Sequence, residues 1–112
     1  MLYLPSQPQH VIATAYCDIG YTASTRYTVP GTIAVDKRYV SLGSRLRVVF
    51  APAIADAAVV TKFFEHVRTR VFHADDTGSD IKGRRIDIWM PSCHEALEFG
   101  RRPAVIIVEP AR

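Results

Sequence analysis

A compact, mainly β barrel with one short helix near the C-terminus is the fold this sequence predicts, and three observations point to it. Apolar alternation with a period of two recurs in several short runs, each bounded by Gly, Pro or Asp. Only residues 92–100 carry both a helix start and a helix stop signal. The 112 residues, 48% of them hydrophobic, suffice to bury one core, and no repeat, linker or low-complexity stretch divides them. Many short strands that share one buried face favour closure on themselves.

Taken in order, residues 1–9 contain two prolines and no periodicity; they read as a tail, leaving residues 10–112 as one domain. Residues 10–16 (HVIATAY) are β-rich and open the fold. Residues 18–30 gather Gly20, Thr22, Ser24, Thr25 and Thr28 into an irregular, hydroxyl-lined loop. A short strand over residues 32–35 ends at Asp36. Residues 45–50 set Leu46 and Val48 against Arg45 and Arg47, the pattern of a half-exposed strand. Residues 57–64 and 67–74 predict two further strands about Glu65 and His66. Ser92 and Glu95 form a capping box, Gly100 ends the helix and Pro103 follows as a stop. Residues 104–109 (AVIIVE) predict a final buried strand.

Residues 75–90, DDTGSDIKGRRIDIWM, hold the most unusual pattern. The turn Asp76-Thr77-Gly78 and a break at Gly83 precede a strand over residues 84–90. Ile86, Ile88 and Met90 form a core-facing row, while Arg85, Asp87 and Trp89 share the opposite face. A mid-strand carboxylate is disfavoured by β propensity and costly to bury unpaired. Asp87 is therefore either satisfied by specific donors or lines a cleft, and the two turns allow Asp76 to reach the same site.

Composition narrows the partners. A formal charge of +3 permits an anionic partner, but the basic residues are dispersed and no aromatic-rich nucleic-acid signature accompanies them. The apolar run at residues 51–60 is short and interrupted by Asp56, so no membrane insertion is expected. The N-terminus lacks the basic start and apolar stretch of a signal peptide, which leaves another export route, a processed form or a phage origin open. Cys17 and Cys93 match no metal spacing; they pair in an oxidising compartment or serve as small buried hydrophobes. His66, His73, Asp75 and Asp76 fit no ligand spacing, so no metal and no cofactor is expected. His94, in the first helical turn, reads as a surface residue. Tyr16, Tyr21 and Tyr27 suit either a sugar platform or packing at the rim.

The motifs, taken together, resemble a known family. ATAYC (residues 13–17), GYTAS (20–24), GTIAVD (31–36), SLGSRLRV (41–48), ADDTGSDIKGRRIDIW (74–89) and SCHEALEFGRR (92–102) follow one another in its order. They are similar to the "3D" domain, named for three aspartates, found in cell-wall enzymes and related to MltA-type lytic transglycosylases and RlpA-like proteins. The resemblance implies a six-stranded double-psi β-barrel. By position, the three aspartates are Asp36, Asp76 and Asp87. The chain departs from the family pattern at Thr25, Lys37 and Ser41, adds Asp80 within DTGSD, and is longer over residues 51–73.

What the resemblance implies about chemistry follows from the substrate. A lytic transglycosylase cuts the bond between N-acetylmuramic acid and N-acetylglucosamine without water, because the muramic 6-hydroxyl attacks its own anomeric carbon. One carboxyl group can protonate the leaving oxygen and then take the proton of that hydroxyl. Asp87, on a rigid strand, is expected to be that acid. Asp76 would orient it or face the developing positive charge, and Asp36 would bind substrate or hold a loop. Trp89, Thr77, Lys82 and Thr22 are the expected contacts to peptidoglycan glycan strands, and the cell envelope is the expected place of action. Two other readings stay open: a non-catalytic, expansin-like glycan binder, and a structural piece of a phage particle or secretion apparatus. A lone aspartate at a turn is, in general, more often a turn former than a catalyst.

Overall fold

The computed structural model describes residues 8–50 and 71–109, the side chains of residues 49 and 50 excepted. Six strands close into a barrel: β1 (Gln9–Tyr16), β2 (Thr32–Val35), β3 (Arg45–Phe50), β4 (Phe72–Asp76), β5 (Arg85–Trp89) and β6 (Arg102–Glu109). One helix, α1 (Cys93–Phe99), sits between β5 and β6. The strand expected over residues 57–64 lies outside the described residues, as does most of the one expected over 67–74. The latter's described end, together with the two aspartates beyond it, is β4.

Around the barrel the order is β1-β5-β2-β4-β3-β6. β1 runs parallel to β5 and β2 parallel to β4, while the other contacts are antiparallel. Exchanging β1, β2 and β3 for β4, β5 and β6 maps every neighbour pair onto another neighbour pair. The barrel thus has an internal two-fold pattern, with one parallel crossing in each half, as the double-psi expectation requires.

Alternation explains the core. Each strand sends two residues inward: Val11 and Ala13, Ile33 and Val35, Leu46 and Val48, Phe72 and Ala74, Ile86 and Ile88, Ala104 and Ile106. Successive side chains point to opposite faces, so the residues between these pairs lie on the outer wall. Arg45 and Arg47 do so, and both pair with Glu109 of β6.

The helix signals hold. The Ser92 hydroxyl accepts the Glu95 N–H at 3.2 Å, and Gly100 ends the helix at φ 65°, a conformation that favours glycine. Pro103, expected to stand before the last strand, lies within β6 opposite Ile12. It occupies the second position of the strand. Cys17 and Cys93 form a disulfide that ties the end of β1 to the start of α1.

Candidate active site

The parallel pairing of β1 with β5 sets Thr14 opposite Asp87, and β2 sets Ala34 opposite Asp87. On the other side of β2, Ala34 is opposite Asp76 of β4. Thr14, Asp87, Ala34 and Asp76 therefore form one row across four strands. Ile33 and Val35 face the core, so this row lies on the outer wall. The two aspartates stand two strands apart, about 10 Å between backbones, with Ala34 of β2 in the row between them.

A bulge in β4 makes the row possible. Ala74 pairs with Ile33 and Asp76 with Ala34, which leaves Asp75 as an extra residue. In a regular strand Asp75 would take the outward place and Asp76 would turn into the core. With the bulge, both carboxylates reach the same loop. Asp75 accepts the Ser24 hydroxyl at 3.1 Å, and Asp76 accepts the Ala23 N–H at 3.1 Å.

Asp87 is half-buried, and the Thr14 hydroxyl donates to its Oδ1 at 2.9 Å. Burial raises its pKa above the ordinary 3.8, and the charges of Asp18 and Asp76 add to this. The Thr14 hydrogen bond and the Arg85 charge oppose the rise. Asp76 is gripped by three donors: the Tyr16 hydroxyl at 3.0 Å and the N–H groups of Ala23 and Thr77. The Tyr16 phenol is driven strongly upward by burial, by its bond to Asp76 and by the charges of Asp76, Asp87 and Asp18. It keeps its proton and remains a donor.

Asp36 has different surroundings. Its side chain is 4% exposed and takes the Arg38 guanidinium through both oxygens, at 2.7–3.2 Å. The Gly83 N–H at 2.8 Å and the Arg38 N–H at 3.0 Å complete its shell. The Arg38 hydrogen bonds, with those from the two backbone N–H groups, hold its pKa far below the usual carboxylate range. This is a fixed anion that fastens the turn before β5 to the end of β2. These contacts suit the holding of a loop, one of the two roles expected of Asp36.

The other expected contacts divide. Asp36, Thr77 and Lys82 line one cleft of about 400 Å³ together with Lys37, Arg38 and Ser79. Thr77, next in sequence to Asp76, joins that cleft to the acidic row. Thr22 points the other way: it is buried, and its hydroxyl donates to the Arg26 carbonyl at 2.8 Å. Trp89 is 8% exposed, and its indole N–H donates to the Asp18 carbonyl at 2.8 Å. It props the segment leaving β1 and offers little ring face to a sugar. Among the described residues, no group of three or more His, Cys, Asp or Glu is placed to hold a metal ion.

Thr14, Asp18 and Asp75 belong to the site although no local signal marks them. Thr14 and Tyr16 alternate outward in ATAYC, but only the pairing of β1 with β5, distant in sequence, puts them beside Asp87.

Comparison with known proteins agrees with the barrel fold. A crystal structure of MltA from E. coli superposes with a TM-score of 0.56 at 20% identity, over 82% of this chain and 28% of that one. The SPbeta prophage-derived uncharacterized protein YorM of Bacillus subtilis (strain 168) is 37% identical over 105 residues, which is 82% of this chain and 38% of that protein. The chain thus spans well under half the length of either. The 3D domain model matches residues 31–108, a stretch that contains Asp36, Asp76, Asp87 and five of the six strands. The match takes in more than half of a chain that folds as a closed six-stranded barrel, and the chain belongs to the 3D domain family.

Proposed function

We propose that the barrel is a peptidoglycan lytic transglycosylase in which Asp87 is the single acid and base. One observation carries this reading: a half-buried aspartate with a raised pKa stands on a strand of the outer wall, in one row with a second aspartate fixed by three donors. Catalytic acids are commonly tuned this way.

The reaction needs one proton in transit. Protonated Asp87 gives its proton to the glycosidic oxygen as the bond from that oxygen to the muramic anomeric carbon breaks. The leaving N-acetylglucosamine carries the oxygen away as a hydroxyl. Asp76 faces the positive charge that develops at the anomeric carbon. The muramic 6-hydroxyl oxygen then bonds to that carbon and surrenders its proton to the Asp87 carboxylate. The ring closes as a 1,6-anhydro sugar, no water is consumed, and Asp87 ends protonated as it began.

Tyr16 supports the arrangement by donating to Asp76, and Thr14 fixes the Asp87 rotamer. The Cys17–Cys93 disulfide suits an oxidising compartment, in keeping with action in the cell envelope.

Digestion of purified peptidoglycan, followed by mass analysis of the fragments, tests this reading. Wild type is expected to release anhydro-muropeptides. Asp87→Asn is expected to lose at least about 100-fold in rate, the usual scale of a general acid–base contribution. Fragments with ordinary reducing ends would mean a hydrolase, and no fragments from wild type would mean a binding module.

A further inference from the structure

The loop between β1 and β2 is a two-faced ribbon. Tyr21 and Tyr27 bridge as an antiparallel pair, and the Gly20 carbonyl accepts the Thr28 N–H at 2.9 Å. Thr22 and Thr28 are buried against the barrel. The opposite face carries Tyr21, 81% exposed, and Tyr27, 47% exposed, with ring centroids 5.3 Å apart and planes tilted by 58°. Ile19 and Val29, also exposed, are the next residues of the same parity.

This ribbon is held rigidly. Thr22 bonds to Arg26 through both its N–H and its hydroxyl, and the Thr25 N–H returns to the Thr22 carbonyl. The tip is clasped to β4, where Ser24 meets the backbone and the carboxylate of Asp75 and the Ala23 N–H meets Asp76. A loop that displays two aromatic rings on a fixed frame has paid in advance the ordering cost of binding. Exposed apolar surface of this kind marks an interaction site.

We propose that Tyr21 and Tyr27 form a sugar-stacking arm, which packs on a pyranose ring of the glycan strand lying along the Asp76–Asp87 wall. The proposal rests on the reading of peptidoglycan as substrate, but not on cleavage. Its ligand is identified by continuity and chemistry. The same tip that presents the tyrosines donates a hydrogen bond to Asp76, so a polymer lying over the two aspartates continues onto the ribbon. Pyranose rings expose a flat face of C–H groups that packs on an aromatic face, and the phenol hydroxyls can reach ring substituents.

The test is binding to purified insoluble peptidoglycan in an Asp87→Asn background, so that the ligand is not consumed. Tyr21→Ala with Tyr27→Ala is expected to weaken binding at least about tenfold, the scale of aromatic stacking terms. Tyr21→Phe with Tyr27→Phe is expected to bind within about twofold of the parent, because the rings remain. Tyr21→Ala alone, at a position largely in solvent, is expected to weaken binding several-fold with an unchanged melting temperature.

Binding by the alanine pair equal to the parent would overturn the proposal, as would an absence of binding by the parent itself. A phenylalanine pair as weak as the alanine pair would replace stacking with hydroxyl recognition and overturn it too. So would a concentration-dependent dimer in sedimentation that only the alanine pair abolishes, because the ribbon would then be covered by a second copy. Ring-dependent binding in this background, together with no anhydro sugar released by the wild type, would leave the arm standing and sink the transglycosylase reading alone.

Discussion

Asp36, Asp76 and Asp87 carry the same side chain, and their surroundings give them different work. Asp36 is saturated by Arg38 and Gly83 and serves as a fixed anion. Asp76 is oriented by three donors, whereas Asp87 has one hydroxyl partner and a burial that disfavours its charge. The difference has opposite signs in stability. The Asp36 pKa is lowered by folding, so its contribution is present above the ordinary 3.8 and is lost as the pH falls through its folded value. The Asp87 pKa is raised by folding. As the pH climbs past 3.8, the unfolded chain releases this proton before the folded one does, and stability declines until the folded pKa is passed. Asp87→Asn keeps an acceptor for Thr14 and removes that loss. It is expected to melt higher than wild type at pH 7, with the gain shrinking toward pH 3.8. A variant that melts lower at pH 7 would mean that the fold prefers Asp87 as an ion.

The element that assembles the site is the bulge in β4. Asp75 and Asp76 are adjacent, yet both reach the loop at Ala23 and Ser24, which regular alternation forbids. Ser24 is the clasp. Ser24→Ala would strip the buried Asp75 carboxylate of its hydroxyl donor, and the expected cost is about 1–3 kcal/mol in chemical denaturation. Amide exchange over residues 20–28 should quicken at the same time. Unchanged stability with unchanged exchange would show that the ribbon is held by its own bonds alone.

The bulge also marks a boundary of what the sequence could disclose. The alternation of Ile86 and Ile88 against Arg85 and Asp87 was legible, because a strand's period is local. So were the Ser92 cap and the Gly100 stop. Asp75, two-faced beside Asp76, was not legible: a bulge depends on the partner strand, and β2 lies some forty residues away. Trp89 shares a face with Asp87 by alternation, but the Asp18 carbonyl that accepts its indole N–H lies 71 residues away in sequence and no local pattern announces it.

At the scale of the whole molecule, the exchange pattern of the barrel explains why distant motifs meet. The two parallel pairs bring β1 beside β5 and β4 beside β2, so ATAYC, GTIAVD, and the segments ending in Asp76 and Asp87 share one wall. The number of short strands and the lone helix pointed to a barrel, and family resemblance supplied its double-psi type, but neither supplied its strand order. Nothing local in the sequence could have supplied that order, since each parallel partner is set by closure of the entire sheet. The pairing of Cys17 with Cys93 likewise follows from β1 and α1 meeting, not from any spacing of the two.

Digestion of peptidoglycan in water enriched in heavy oxygen tests most directly the claim that Asp87 moves a proton between two oxygens of the substrate. The account predicts anhydro-ended fragments free of heavy oxygen from wild type, and none from Asp87→Asn. Heavy oxygen at the new reducing ends would show that water attacked the anomeric carbon, and would contradict it.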